Sequence, residues 1–239
     1  MLQRLMLFLL LAPASIAFAG VPFSAFYGDA AWSNLTGAST YDSYLSGISV
    51  KETDYYLSVK SEWSDTHGTT LPYQSELDGI TVGCGAREWF YRHHFFAGVS
   101  LGEGVIGQWS GHPDLRIGGA GGNAWEHGKR YTDLYSELFY VSRANDSSLF
   151  LRYRPGLKLT QHHEDSRFWV YGISELWASG RGLYGTENRI EVGPGLGYIF
   201  YSGAAGLSAN LDLCGGYSYR GSIPHRSYFN PTITVAGGF

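Results

Sequence analysis

Residues 130–160 read RYTDLYSELFYVSRANDSSLFLRYRPGLKLT. Apolar and polar side chains alternate on both sides of Asn145-Asp146. A period of two sends successive side chains to opposite faces of a strand. Asn and Asp tolerate the left-handed backbone of a tight turn, so the stretch predicts a hairpin of two long antiparallel strands. With Ala144 opposite Ser147, Asp133 faces Lys158 and Glu137 faces Arg154, all on one face. The other face pairs Leu134 with Leu157, Leu138 with Tyr153, and Tyr140 with Leu151. Two complementary charge pairs in one register mark a polar face backed by an apolar one.

The alternation recurs at 54–64, 77–87, 94–105, 168–177, 189–200, 206–219 and 229–239, and more weakly at 22–33 and 41–50. Strands of soluble proteins run to about five or six residues, whereas a tilted membrane-crossing strand needs about nine to eleven. The long runs therefore favour an outer-membrane barrel over a large soluble sandwich. Aromatic residues near strand ends suit the girdles of such a barrel: Trp63, Trp89, Phe90, Tyr91, Trp177, Phe200, Tyr201, Tyr217, Tyr219, Tyr228 and Phe229. Segment 106–129 would otherwise be a long connection on the side where turns are short, so a further strand near 114–122 is expected. The fold class is all-β, a single transmembrane antiparallel up-and-down β-barrel of about 12 strands over 20–239, with 10 as the fallback. By parity the polar, lumen-lining face carries Lys60, Glu62, Asp133, Glu137, Arg152, Arg154, Lys158, Arg189, Glu191 and Asp212, with Asn210 beside them.

Composition agrees. Aromatic and charged residues each make up 16% of the chain, which also holds 33 glycines. Disordered chains are poor in aromatics and rich in charge, and Gly disfavours helices. A net charge of −4 leaves no basic surplus for phosphates, so no nucleic-acid partner is expected. Residues 1–19 read as a signal peptide: Arg4 at the basic start, an apolar centre, and Ala17-Phe18-Ala19 before the cleavage point. Export to the outer membrane of a Gram-negative bacterium is the expected localisation.

Candidate chemistry is sparse. Eight histidines include His93-His94 and His162-His163-Glu164-Asp165, but neighbours on a strand point to opposite faces and chelate poorly. No metal site, catalytic residue or cofactor is assigned. His225 and Ser227 share a strand face, as in outer-membrane lipid hydrolases, yet Tyr228 stands where their pattern has Asn. Cys84 falls on the apolar face and Cys214 on the polar one, so two free thiols are expected rather than a disulfide. Gly193-Pro194-Gly195-Leu196-Gly197 reads as a strand kinked at its glycines.

The stretch from Glu187-Asn188-Arg189-Ile190-Glu191-Val192 to Gly197 resembles a strand motif in the C-terminal barrels of phage-adsorption protein A and related exopolysaccharide-export porins. Arg226-Ser227-Tyr228-Phe229-Asn230 is similar to their entry into the last strand, with Asn in place of Asp. The resemblance implies a non-enzymatic barrel that acts as a pore or as the barrel component of an envelope export system. Such proteins usually carry a long helical-repeat region before the barrel; here that scaffold would have to be a separate chain, or the export role is absent. The alternatives are a filled-lumen barrel serving as receptor, anchor or structural protein, and a rim-active hydrolase. Expected partners are outer-membrane lipid and lipopolysaccharide, envelope export components, and the barrel-assembly machinery, which would read the C-terminal strand ending at Phe239.

Ile233, Val235, Gly237 and Phe239 share one face up to the carboxyl terminus. Deleting Phe239 should lower the amount of assembled barrel in outer-membrane fractions while leaving periplasmic delivery unchanged, as measured by fractionation and immunoblotting.

Overall fold

A computed structural model describes residues 20–34, 37–64, 79–91, 94–107, 110–142, 145–163, 166–180, 188–202, 205–220 and 226–238. The alternating segments form twelve strands: β1 (Val21–Ser33), β2 (Gly37–Val50), β3 (Thr53–Ser64), β4 (Gly79–Phe90), β5 (Phe95–Gly107), β6 (Pro113–His127), β7 (Arg130–Val141), β8 (Asp146–His163), β9 (Ser166–Ser179), β10 (Asn188–Ser202), β11 (Ala205–Arg220) and β12 (Arg226–Gly238). Each pairs antiparallel with its sequence neighbours, and β1 closes on β12 from Ala25↔Gly238 to Ala31↔Thr232. Strand β6 is the one that the parity argument required. Its Gly118, Gly119, Gly121 and Gly122 had weakened its alternation.

The wall is inverted relative to a soluble protein. Leu57, Leu138, Leu157, Leu196 and Ile233 point outward and are exposed, while Asp54, Arg154, Glu191, Asn210, Asp212 and Asn230 point inward and are buried. With apolar side chains outside, polar side chains inside and no free edge, every backbone group can pair within the wall, as a hydrocarbon solvent demands. One end is closed by short connections at 51–52, 91–94, 128–129, 164–165 and 203–204. Lys51 (φ 56°) and Gly128 (φ 58°) supply left-handed backbone in two of these. The other end carries the longer connections, among them 65–78 and 180–187.

Two expectations need correction. The first is the 130–160 register. The strands part earlier than Asn145-Asp146, the last pair being Val141↔Asp146, so Asp133 faces Arg154 and Glu137 faces Phe150. The Ser142 hydroxyl accepts a hydrogen bond from the Leu115 amide of β6 (2.8 Å), and the Asn145 amide bonds back to the Ser142 carbonyl (3.0 Å). These contacts end β7 at Val141 and make a four-residue connection. The slip of four residues across the pair keeps every side chain on its expected face. The second concerns the girdles. Phe90, Tyr91, Phe200, Tyr217 and Phe229 are outward and exposed, and are joined by Trp32, Trp125 and Phe168. Trp89, Trp177 and Tyr228 instead turn into the lumen, because strand parity, rather than nearness to a strand end, sets the face.

Prolines mark one transverse line on the outer wall. Pro155 falls between the pairs Tyr153↔Ser174 and Gly156↔Tyr171, Gly172 faces Pro194, and Leu213 faces Pro231. Each lacks the amide hydrogen that a ladder position uses.

Leu196 lies midway along β10 and Tyr217 near the loop end of β11, both outward. Leu196→Arg should lower the unfolding free energy by about 2–4 kcal/mol, and Tyr217→Arg by about 0–1 kcal/mol. Urea titration of the liposome-refolded barrel, followed by tryptophan emission, measures both.

Candidate functional site: the barrel lumen

The lumen is lined with ion pairs that lie against aromatic rings. At the short-turn end, Arg87 Nε donates to Asp54 (2.8 Å), and so does Trp89 Nε1 (2.7 Å). The Arg87 guanidinium lies 4.8–5.4 Å from the ring centres of Trp89, Phe96 and Phe23, the last reaching in from β1. At mid-height Arg154 donates to Asp212 (3.0 Å), whose other oxygen accepts from the Tyr171 hydroxyl (2.6 Å). Nearer the loops Glu191 pairs with Arg189 (2.8 Å) and accepts from Tyr228 (2.7 Å) and Asn230 (2.9 Å). Arg154 on β8 reaches Asp212 on β11, and β12 reaches over β11 to Glu191 on β10. These bonds tie non-adjacent strands together.

Of the residues expected on the polar face, Arg154, Glu191 and Asp212 are buried, and the pairings differ from those read in the sequence. Asp133 has Arg152 at 3.9 Å, Glu137 accepts from Tyr135 (3.1 Å), and Lys158 bonds Glu126 (2.6 Å), which also pairs with Arg167. Lys60 lies partly buried on β3, and the Glu62 side chain lies outside the described residues. Sequence reasoning missed Asp54, Arg87, Asp114, Arg116, Glu126, Arg167 and Glu175. Asp54 shares strand parity with Lys60 and could have been found by extending that face, whereas Asp114 and Arg116 lay in the segment with no clear alternation.

Four inward glycines make room for rings. Gly85 faces Tyr56, Gly195 faces Tyr171, Gly197 faces Trp169 and Gly216 faces Tyr228. A Cβ on any of the four would collide with its partner's ring. The register against β9 runs unbroken from Arg189 to Phe200, and Gly195 and Gly197 form a recess for Tyr171 and Trp169. These rings, with Ile173, Cys214 and Tyr131, form a packed cluster against one wall.

Cys214 is free and buried in this cluster, and Cys84 is free on the outer face. Ser227 is exposed and faces the outward Tyr217, while His225, Glu164, Asp165 and His93 lie outside the described residues, as do residues 1–19 and Phe239.

A closed barrel, apolar outside and ionic inside, defines a membrane-spanning protein of the outer-membrane type. No family model and no curated protein matches the sequence. Among solved structures, the chain is similar to a bacterial polysaccharide outer membrane secretin, with 10% identity over 91% of this chain and 97% of that one and a TM-score of 0.45. It is also similar to the beta domain of the Bordetella autotransporter BrkA, with 13% identity, 92% and 99% coverage and a TM-score of 0.47. A third likeness is to the KdgM porin in complex with disordered oligogalacturonate, with 10% identity, 90% and 98% coverage and a TM-score of 0.44.

Removing one partner of a buried ion pair strands the other charge. Asp212→Ala should therefore cost about 3–5 kcal/mol, while Arg154→Met combined with Asp212→Leu should recover most of that loss. A double-mutant cycle in urea reads both.

Proposed function

We propose that this protein is a narrow pore in the Gram-negative outer membrane, the barrel component of an envelope export route for polar, hydroxyl-rich chains. One observation carries the reading. The inward side chains of Arg87, Arg152, Asp133 and Arg189 keep 14%, 17%, 19% and 22% of their surface accessible. The wall screens these groups from the outer face, so in this reading water reaches them through the lumen. They are spaced from the short-turn end to the loop end. Rings such as Tyr27, Tyr56 and Tyr135 are only partly buried among them and offer flat apolar faces between hydrogen-bonding groups. That combination suits cargo that is apolar on ring faces and polar at its edges. The resemblance of the 187–197 and 226–230 motifs to exopolysaccharide-export barrels supports the export role. In this reading the barrel is non-enzymatic, its apolar face meets lipid and lipopolysaccharide, and the strand ending at Phe239 engages the assembly machinery.

The filled-lumen alternative, a receptor, anchor or structural barrel, is favoured by the near-complete burial of Arg154, Trp169 and Ile173.

Planar-bilayer recording separates the two. The pore reading expects a small, steady conductance whose selectivity moves toward cations in Arg152→Glu, because charge at a constriction sets the sign of the permeant ion. A silent wild type, with Arg152→Glu altering only stability, would establish the filled barrel instead.

A further inference from the structure

Two inward charges stand apart from the tight ion pairs of the lumen. Arg152 on β8 and Glu175 on β9 are direct cross-strand partners. The carboxylate nearest Arg152 is that of Asp133, at 3.9 Å, and Arg152 Nε is buried with no hydrogen bond among the described residues. No described residue forms an ion pair or hydrogen bond with the Glu175 carboxylate. Their neighbours are already engaged. Glu191, on the other side of Glu175, is held by Arg189, Tyr228 and Asn230. Arg154 is held by Asp212, and Glu137 by the Tyr135 hydroxyl. Polar groups inside a protein are nearly always bonded, so a donor and an acceptor side by side and unbonded call for an explanation.

Rings surround the two. The Arg152 guanidinium lies 5.4 Å from the centre of the Tyr135 ring. From the facing part of the wall, Tyr27 on β1 comes within electrostatic reach of both Arg152 and Glu175. Tyr27 is fixed by donating to Asp29 (3.0 Å), and its ring centre lies 6.0 Å from that of Tyr41 on β2. The lumen therefore narrows here between a donor–acceptor edge and tyrosine faces.

The charges decide what fits. An anionic group bonded to Arg152 would lie beside Glu175 and Asp133, and a cationic group bonded to Glu175 would lie beside Arg152, so each meets repulsion. A hydroxyl is both donor and acceptor. Hydroxyls on one ring can donate to Glu175 and accept from Arg152 while the ring face lies on a tyrosine. We infer that Arg152, Glu175, Tyr27 and Tyr135 form a subsite for an uncharged sugar ring. The subsite rests on the export-pore reading and adds to it that the cargo is neutral at this point.

The test uses the whole barrel in detergent and three hexasaccharides: neutral maltohexaose, anionic hexagalacturonate, and a cationic hexamer of N-trimethylated glucosamine. Tryptophan emission reads binding, and planar bilayers read block of the current. The wild type should bind maltohexaose about tenfold more tightly than either charged hexamer, the weight of one hydrogen bond to a charged group. Glu175→Gln and Arg152→Gln should each weaken maltohexaose by about tenfold. Glu175→Gln should also turn the preference toward hexagalacturonate, a reversal that loss of folding could not produce. Faster migration unheated than boiled on a denaturing gel shows that each variant is closed. A conducting wild type that favours a charged hexamer or binds none, or an undiminished maltohexaose affinity in Glu175→Gln, would refute the subsite and leave the pore reading standing. A silent wild type that still binds maltohexaose through Glu175 would uphold the subsite and overturn the pore. A silent wild type that binds no hexamer would overturn both.

Discussion

The pairing of β1 with β12 is the constraint on which the other features depend. A sheet in hydrocarbon cannot leave a row of amides and carbonyls unpaired, because each would cost several kcal/mol. Closing the sheet removes both edges at once. It also divides the chain's side chains, at every residue, between a lipid-facing set and an enclosed set. Leu138 and Glu137 are adjacent in sequence and lie in different solvents. Strand length, connection asymmetry and the placement of charge all follow from that division.

Enclosure makes the ionic groups depend on one another. Burying Asp212 or Glu191 alone would be prohibitive, and each is instead met by a guanidinium and by hydroxyl or amide donors from strands that it does not touch in the ladder. The ladder bonds hold neighbouring strands, and these lumenal bonds hold strands two or three apart. The rings complete the lining only because a glycine stands opposite each of four of them. Adding a side chain at Gly195 would push Tyr171, and with it Asp212, out of place, and one at Gly197 would displace Trp169.

Faces were far more legible in the sequence than partners. Strand parity groups Arg154, Glu191 and Asp212, which are all buried, because a side chain's face depends only on counting along its own strand. Partners depend on where two strands part, and the 130–160 turn was decided by the Ser142 contact with Leu115 on a third strand. No local pattern near Asn145 carries that information. Strand β6 was foreseen from topology rather than from its own residues, since four glycines had erased the alternation. The tryptophans misled for a related reason: Trp89 and Trp177 sit at girdle height but on the inward parity. The Trp-x-Tyr pair on β9 stands opposite a Gly-x-Gly pair on β10.

The aligned prolines give the wall a mechanical character. Ladder hydrogen bonds run around the circumference and act as hoops that resist widening. Along the line through Pro155, Pro194 and Pro231 each of three strands lacks one hoop donor, and Gly172 adds no side-chain bulk between the first two. The β8–β12 side is therefore most compliant near mid-wall, between stiffer rings above and below. A bilayer that thickens or thins around the barrel would strain this belt first. The lumenal bonds from Arg154 to Asp212 and from Glu191 to Asn230 cross behind it, bracing from inside a wall that its own backbone leaves soft.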